Sequence, residues 1–184
     1  GSGAIGGEIC RRLAACGAHV AVAYSTHRDG AMKVLEAVRS QGVEGCIVQS
    51  DLRTPEGAVE LFRLVKAGLG SPDILVYAAG VTGYHLAVDT TPEVWARVSE
   101  INLQGALLCD IQFLPEMCRK GWGRIIHIGS IWGEVGAAGE VAYSASKAGL
   151  VGLTKALAKE TARMGITVNA VSPGVIDTEM NEDF

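Results

Sequence analysis

The residues best placed to do chemistry are a tyrosine and a lysine four positions apart. Tyr143 and Lys147 stand in the stretch YSASK, and this spacing puts a phenol and an ammonium group on one face of a helix. A free phenol titrates at about 10, and a cation within about 4 to 6 Å lowers its pKa by roughly 1 to 3 units. The pair therefore predicts a tyrosine that works as a general acid.

A serine can complete this arrangement. Ser130 ends an apolar stretch thirteen residues before Tyr143, and the carboxyl end of such a strand abuts the start of the helix that follows. Two hydroxyls that reach one carbonyl oxygen stabilise the charge of a forming alkoxide. The alternative is that Ser130 only ends a strand and that Tyr143 and Lys147 are surface residues of a helix.

The segments around these residues alternate between strands and helices. Apolar runs predict strands at His19–Tyr24, Gly45–Ser50, Asp73–Ala79, Arg124–Ser130 and Ile166–Ser172. Helical periodicity predicts helices at Ile5–Ala15, Ala31–Gln41, Pro55–Ala67, Pro92–Arg119 and Tyr143–Arg163. Glycines that end helices follow at Gly17, Gly42 and Gly165.

This alternation predicts an α/β fold with a doubly wound, Rossmann-like parallel sheet. The chain opens inside a glycine-rich turn, so we expect the usual first strand to be absent, and the C-terminal strand as well. Residues 1–184 are expected to form a single nucleotide-binding domain that is truncated at both ends. A shortened, inactive product is one interpretation of this truncation.

The carboxyl ends of these strands carry the candidate nucleotide contacts. The opening loop, with Ser2, Gly3, Ala4 and Ile5, can cradle a pyrophosphate at a helix N-terminus, although a flexible tail would read the same way. Tyr24, Ser25, Thr26 and Arg28 offer hydroxyls and a guanidinium where an acidic residue would select NAD(H). These side chains favour NADP(H), because a guanidinium forms charge-assisted hydrogen bonds with a ribose 2′-phosphate. The alternative is that they belong to a solvated loop with no nucleotide contact.

Two further strand ends could contact the nucleotide. Asp51 could accept from an adenine amino group or could cap the next helix. Ala79 and Gly80 have little side-chain bulk, so a cofactor could pass close to their backbone, although a plain turn explains Gly80 nearly as well.

Composition excludes several classes of protein. A net charge of −4 gives no positive field for nucleic acid, and no apolar run is long enough to span a membrane. The five cysteines form no CxxC pair and the four histidines have no ligand spacing, so no metal site is predicted. We expect a cytoplasmic protein.

At this point the sequence resembles the classical short-chain dehydrogenase/reductase family over essentially its whole length. Gly3 to Gly6 resembles the end of the TGxxxGxG loop, with Ala4 in place of a glycine, and Tyr77 to Gly80 occupies the NNAG position without its asparagines. Asn169 to Gly174 resembles the NAxxPG motif. Within the family, the chain is most similar to 3-oxoacyl-(acyl carrier protein) reductases and acetoacetyl-CoA reductases.

The resemblance implies a set of roles. NADPH would deliver hydride to a ketone carbon, Tyr143 would protonate the oxygen, Ser130 would orient it, and Lys147 would hold the nicotinamide ribose. Asn102 resembles the helix asparagine whose backbone holds a water in the proton relay. The cofactor contacts implied beyond those above are Leu52, Tyr143, Lys147, Pro173, Gly174, Ile176 and Thr178.

The family resemblance says less about the substrate than about the cofactor. Members that dock acyl carrier protein have basic side chains where this chain has Gly121 and Met164, so a CoA thioester or another small ketone is also expected. Tyr84, His85, Trp132 and Glu134 are predicted to border the substrate pocket because they follow Gly80 and Ser130.

Two other functions remain open: a catalytically inactive, dinucleotide-sensing regulator, and an alcohol dehydrogenase for another small substrate. By the resemblance to similar family members, the long helical segments Pro92–Arg119 and Tyr143–Arg163 are expected to pack as a dimer face. The resemblance implies a homodimer or a homotetramer, and the tetramer would need the missing C-terminal strand.

Overall fold

Strands and helices alternate along the chain, as the apolar patterning predicts. The computed structural model describes residues 1–177, which divide into two compact units, one of them Gly1–Pro72 and the other starting at Asp73. The elements of the first unit are α1 (Ala4–Ala15), β1 (Val20–Tyr24), α2 (Arg28–Arg39), β2 (Gly45–Gln49) and α3 (Pro55–Leu69).

In the first unit, β1 and β2 pair in parallel, with Val20 opposite Gly45. Apolar side chains of α1, α2 and β1 form the core. Helices α1 and α2 approach closely at Gly7, where an added Cβ would lie 3.0 Å from Cγ2 of Val34. Gly17, which follows α1, has a φ of 87° that glycine adopts without strain, so the predicted stop signal is a left-handed residue.

As far as residue 177, the second unit contains three strands, four α-helices, one 3₁₀ turn and a π segment. Its elements are β3 (Ile74–Tyr77), a 3₁₀ turn (Ala87–Asp89), α4 (Pro92–Ser99), a π segment (Glu100–Gln104), α5 (Gly105–Lys120), β4 (Gly123–Ile128), α6 (Trp132–Val135), α7 (Val141–Thr161) and β5 (Ile166–Val171).

These three strands form a parallel sheet in the order β3-β4-β5. Ile125 at the centre of β4, Met117 of α5 and Leu150 of α7 are fully buried. A Cβ added at Gly123, the first residue of β4, would lie 2.6 Å from the sulfur of Met117. Glycine at this position therefore lets α5 pack against the start of the strand.

The predicted helix Pro92–Arg119 is in fact interrupted. The π segment at Glu100–Gln104 separates α4 from α5, and apolar periodicity continues through it, so the sequence carries no breaker there. The sequence also missed α6 and the 3₁₀ turn, because elements of three or four residues are too short to show a period.

The predicted parallel α/β architecture is confirmed by both sheets. Each strand is shorter than predicted: Ala79 and Gly80 lie beyond the end of β3, and Ser130 lies two residues beyond β4. The expectations of a single domain and of absent first and last strands stay predictions.

Candidate active site

Tyr143 and Lys147 lie in the first turns of α7, as the sequence predicts. Lys147 is only 4% exposed, and its Nζ lies 5.6 Å from the centroid of the Tyr143 ring. The ammonium group donates to the carbonyl of Ile128, the last residue of β4, at 2.8 Å. This bond fixes the lysine between the helix and the end of the strand.

Ser130 is held beside Tyr143. The serine is 7% exposed, its Oγ accepts from the backbone of Trp132 at 3.2 Å, and its hydroxyl opposes the rise that burial causes in the pKa of the Tyr143 phenol. Backbone bonds anchor the loop on both sides, because Gly129 donates to Val171 and Ile131 donates to Pro173. These bonds fix Ser130 just beyond β4, close enough to Tyr143 to influence the pKa of its phenol.

Asn102 joins the same group from the π segment. Its fully buried amide accepts from the backbone N–H of Val81 at 2.8 Å and donates to the Val81 carbonyl at 3.0 Å. The second amide N–H donates to Ser146 at 3.0 Å, and Ser146 donates to the carbonyl of Tyr143 at 2.7 Å. The side chain of Asn102 thus ties the chain after β3 to the turn that carries the tyrosine.

Gly80 lies within this group. An added Cβ there would lie 3.4 Å from Nζ of Lys147 and 3.5 Å from Oδ1 of Asn102. Position 80 therefore faces the lysine and the asparagine, which a plain turn glycine would have no reason to do. Ala79 precedes it, half-buried.

The pKa values correct one expectation. The sequence predicts that Lys147 lowers the pKa of Tyr143, whereas burial raises this pKa; the hydroxyl of Ser130 opposes the rise and the charge of Glu140 adds to it. Burial also lowers the pKa of Lys147 to about 8. Both groups are shifted toward their neutral forms because both are removed from water.

In the first unit, Ser2, Gly3, Ala4 and Ile5 lie at the start of α1. Gly3 occupies the N-cap position and supplies no side-chain cap. Backbone N–H groups at such a helix start are donors for an anion.

The residues predicted at the end of β1 separate into two kinds. Tyr24 is a buried member of the core, so its ring serves packing, whereas Ser25, Thr26 and Arg28 are exposed. The carbonyl of Ser25 accepts from the side chain of Gln49 at 2.9 Å, which connects this loop to the end of β2.

Asp51 follows β2 and binds Arg53. The guanidinium lies 2.6 Å from Oδ2 of Asp51, and its hydrogen bonds lower the pKa of that carboxyl. The cap of α3 is Thr54, which accepts from Gly57 at 3.1 Å, so the alternative role of Asp51 as the cap is wrong. Leu52 is half-buried beside it.

The residues after β5 are placed less tightly. The carbonyl of Pro173 accepts from Ile131 at 2.9 Å, which brings this segment next to the Ser130 loop. Gly174 and Ile176 are exposed. The predicted contact at Thr178 lies outside the described residues.

The four residues predicted at the substrate pocket lie on two segments. Trp132 and Glu134 are in α6, directly after Ser130. Tyr84 lies over Gly139, where an added Cβ would be 2.7 Å from the ring, and His85 donates its backbone N–H to Gly139 at 2.8 Å. The segment with Tyr84 and His85 therefore packs on the residues that lead into α7.

The sequence reasoning missed Glu140 and Ser146. Both are buried. Ser146 stands three positions after Tyr143 on α7, a spacing that shares a helical face and that was the available signal. Glu140 lies just before the helix, and the sequence carried no signal for it.

Other kinds of site are not found in the described part of the chain. Residues 1–177 hold no group of three or more His, Cys, Asp or Glu side chains placed to bind a metal ion. No helix among them is both long enough and apolar enough to cross a membrane.

The comparisons with known proteins agree on the family. The family model described as short chain dehydrogenase matches residues 1–184. A 3-oxoacyl-(acyl carrier protein) reductase of Staphylococcus epidermidis is 39% identical over 176 residues, which cover 96% of this chain and 72% of that protein. An acetoacetyl-CoA reductase of Rhizobium meliloti is 42% identical over 180 residues, which cover 98% of this chain and 73% of that protein.

A solved structure gives the same answer for the fold. The crystal structure of a candidate short-chain alcohol dehydrogenase from Sinorhizobium meliloti 1021 matches with a TM-score of 0.95 at 35% identity, covering 100% of this chain and 72% of that one. The Rossmann-like architecture is thus that of a known group of oxidoreductases, and the chain belongs to the short-chain dehydrogenase family.

Proposed function

We propose that the chain is an NADPH-dependent carbonyl reductase that acts on a 3-oxoacyl thioester or a related ketone. The observation that carries this proposal is the buried Lys147 one helical turn after Tyr143 on α7, with its Nζ 5.6 Å from the centroid of the Tyr143 ring, and with Ser130 close enough to lower the pKa of the phenol. Two hydroxyls placed near each other can both donate to the oxygen of one carbonyl group. The names of the relatives support the substrate class.

Tyr143 is the proton donor in this proposal. Its raised pKa keeps the phenol protonated at neutral pH, so a proton is available for the oxygen of the reduced carbonyl. Ser130 donates to the same oxygen and orients it, and its burial keeps water away from the reacting group. NADPH supplies the hydride when it is bound.

Lys147 and Asn102 support the tyrosine. With a pKa of about 8, Lys147 can exchange a proton near neutral pH, and in its charged form it would hold the hydroxyls of the nicotinamide ribose. Asn102 fixes Val81 and, through Ser146, the backbone of Tyr143. This arrangement would keep the proton donor in place while a proton passes along the relay.

The first unit fits the phosphate groups of a dinucleotide. The start of α1 offers backbone N–H groups at Ser2 to Ile5 without a competing side-chain cap, and these would hold the pyrophosphate. The exposed Ser25, Thr26 and Arg28 would hold the ribose 2′-phosphate of NADPH, because a guanidinium forms charge-assisted bonds with phosphate.

The choice of acyl carrier is part of the proposal. Gly121 and Met164 offer no charge to an acidic carrier protein, and the neighbouring Lys120 is paired with Asp73 at 2.7 Å. These observations favour a CoA thioester or a small ketone over an acyl carrier protein.

The proposal is tested by measuring NADPH oxidation with acetoacetyl-CoA, a longer 3-oxoacyl thioester and simple ketones, repeated with NADH. We expect turnover with a thioester, a preference for NADPH, and loss of turnover in Tyr143→Phe but not in the α7 control Lys155→Met. Arg28→Ala should reduce the NADPH preference by about 10-fold or more.

Three outcomes would contradict the proposal. Comparable rates with NADH would overturn the choice of cofactor, and intact turnover in Tyr143→Phe would overturn the mechanism. Nucleotide binding without oxidation by any ketone or alcohol would favour a dinucleotide-sensing regulator. The cytoplasmic location stays a prediction.

A further inference from the structure

A histidine lies fully buried near the end of the strand that leads to Ser130. His127 is the last residue but one of β4, and it shares one face of that strand with Ile125, since alternate residues of a strand point to the same side. Both side chains are 0% exposed. A histidine in such a place is costly to bury unless its ring nitrogens have polar partners.

Both ring nitrogens of His127 face a helix. Nδ1 lies 2.8 Å from Oγ1 of Thr154 on α7, and Nε2 lies 3.3 Å from Oδ1 of Asp110 on α5. The hydroxyl of Thr154 donates its one proton to the carbonyl of Leu150 at 2.7 Å, so toward His127 it can only accept. Nδ1 therefore carries a proton and donates it to α7.

The same strand and helix meet again at the candidate active site. Lys147 donates to the carbonyl of Ile128, the residue directly after His127, at 2.8 Å. Lys147 and Thr154 are seven positions apart on α7, which is close to two full turns, so they lie on one face of the helix. Two hydrogen bonds thus join neighbouring residues of β4 to that buried face of α7.

We propose that His127 is a positioning residue for Lys147: by donating to Thr154 it holds α7 against the end of β4, which keeps the ammonium group of Lys147 on the carbonyl of Ile128. This inference rests on the proposed function, in which Lys147 holds the nicotinamide ribose. An ammonium group has three N–H donors, so the bond to Ile128 leaves two for the ribose hydroxyls.

The bond to Thr154 supplies a constraint that the sheet does not. Pairing with β3 and β5 fixes β4 within the sheet, but these bonds do not fix where a helix lies on the face of the sheet. Apolar packing between the two is not directional, whereas a hydrogen bond is strongly directional. Loss of the bond from His127 should therefore let α7 shift along β4 and carry Lys147 away from Ile128.

The test replaces His127 by leucine, which fills the space and removes the bond to Thr154. We expect kcat for ketone reduction with NADPH to fall at least about 10-fold, because a hydrogen bond to a charged group contributes at least this factor. The position of Lys147 is measured separately by acetylation with acetic anhydride and mass spectrometry. Its rate relative to the exposed Lys155 of the same helix should rise at least about 10-fold.

Rescue variants and a matched control separate positioning from stability. His127→Asn keeps an N–H donor near the place of Nδ1 and should restore most of kcat and most of the protection of Lys147. Thr154→Val removes the acceptor and should behave as His127→Leu does, which keeps the test open should the leucine variant fail to fold. Ile125→Ala removes a buried side chain from the same face of β4. It should also lose stability, yet kcat and the acetylation rate of Lys147 should stay at wild-type values.

Three results would overturn the inference. They are wild-type reactivity of Lys147 in His127→Leu and Thr154→Val, equal effects of Ile125→Ala and His127→Leu, and no recovery in His127→Asn. The acetylation rate is measured without nucleotide or turnover, so it tests the position of Lys147 alone. The proposed function fails on a different result, namely unchanged turnover in Tyr143→Phe.

Discussion

Burial dominates the properties of individual residues at the candidate site. A phenol and an ammonium group lie near each other at Tyr143 and Lys147, yet removal from water shifts both toward the neutral form. The pKa of Lys147, at about 8, makes its charge sensitive to pH in a range where an enzyme works. Because the charged form of Lys147 is costly to bury, the lysine also makes the free energy of unfolding depend on pH.

Replacement of Lys147 by methionine should reveal this cost. The folded chain releases the lysine proton near pH 8, whereas its ordinary value is 10.5, so unfolding takes up a proton between these values. The stability of the wild type relative to Lys147→Met should therefore rise across this window, by about 3 kcal/mol at most. Urea denaturation at a series of pH values measures the difference.

The control for this prediction is Lys155→Met on the exposed side of the same helix. Its stability should follow that of the wild type at every pH. A constant difference between the wild type and Lys147→Met from pH 7 to about 10.5 would contradict the prediction, since it would mean that the lysine has the same pKa in the folded and unfolded chains.

At this scale the sequence predicted which residues meet but not how their charges behave. The i, i+4 spacing of Tyr143 and Lys147 fixes a common helical face, and that follows from the sequence alone. The sign of the pKa shift on Tyr143 depends on burial and on Glu140, and Glu140 is bridged to His85, in the segment Gly83–His85 from a distant part of the chain. Side-chain spacing alone carries no information on that segment.

At the scale of elements, the short helix α6 is positioned by its contact with α7. Gly133 makes this contact, because an added Cβ would lie 2.7 Å from the carbonyl carbon of Lys147 and 2.9 Å from the backbone nitrogen of Ala148. Both are backbone atoms that cannot rotate away. A side chain at position 133 would therefore separate the helix that follows Ser130 from the helix that carries the tyrosine.

Gly133→Ala should destabilise the fold by about 1 to 3 kcal/mol and lower kcat, because Ser130 moves with the displaced helix. The matched control is Gly152→Ala, where an added Cβ meets nothing within 4 Å and the better helix propensity of alanine should add up to about 1 kcal/mol. Urea denaturation and steady-state kinetics measure the two effects. Equal stability of the two variants would contradict the close contact.

A buried polar group connects β4, α5 and α7. His127 lies with Nδ1 2.8 Å from the hydroxyl of Thr154 and with Nε2 3.2 Å from the carboxyl of Asp110. Thr154 donates its own proton to the carbonyl of Leu150, so it accepts from Nδ1 of His127. A second proton must then lie between Nε2 of His127 and the carboxyl of Asp110 if the two are to form a hydrogen bond. Burial raises the pKa of Asp110, and His127 opposes this rise.

Removal of either partner alone should be costly. His127→Leu or Asp110→Leu leaves one buried polar group without its partner, which costs about 3 to 5 kcal/mol. The double variant removes both polar groups, so neither is left buried without its partner. Its loss of unfolding free energy should be well below the sum of the losses in the two single variants. Denaturation of the four proteins gives the coupling energy, and additive effects would show that the contact between His127 and Asp110 contributes nothing.

The elements themselves were predicted unevenly. The five strands in residues 1–177 and the long helices other than Pro92–Arg119 follow from apolar periodicity and from stop signals such as Gly17 and Gly165, whose positive φ values the structure shows. The π segment around Asn102 was not predictable, because its buried hydrogen bonds to Val81 and Ser146 join parts of the chain that are far apart in sequence. Tertiary contacts of this kind leave the local pattern unchanged.

At the scale of the whole molecule, parallel strand pairing is the feature that the sequence predicted best. Strands separated by helices long enough for crossovers pair in parallel, and both the two-stranded and the three-stranded sheet do so. The oligomeric state cannot be predicted in the same way, because it depends on exposed surfaces and not on the alternation of strands and helices. The second unit carries exposed apolar side chains on α5, with Leu107 40% and Ile111 53% exposed.

This face of α5 should form the dimer interface expected from the sequence. Leu107 and Ile111 are four residues apart and project from one side of the helix, and a two-fold axis brings such a patch against its own copy. The double change Leu107→Glu and Ile111→Glu places like charges opposite each other and should give a monomer. Val59→Glu, at a comparably exposed position on α3, should leave the dimer intact. Sedimentation velocity measures the masses, and a monomeric wild type or a dimeric double variant would contradict the assignment of this surface.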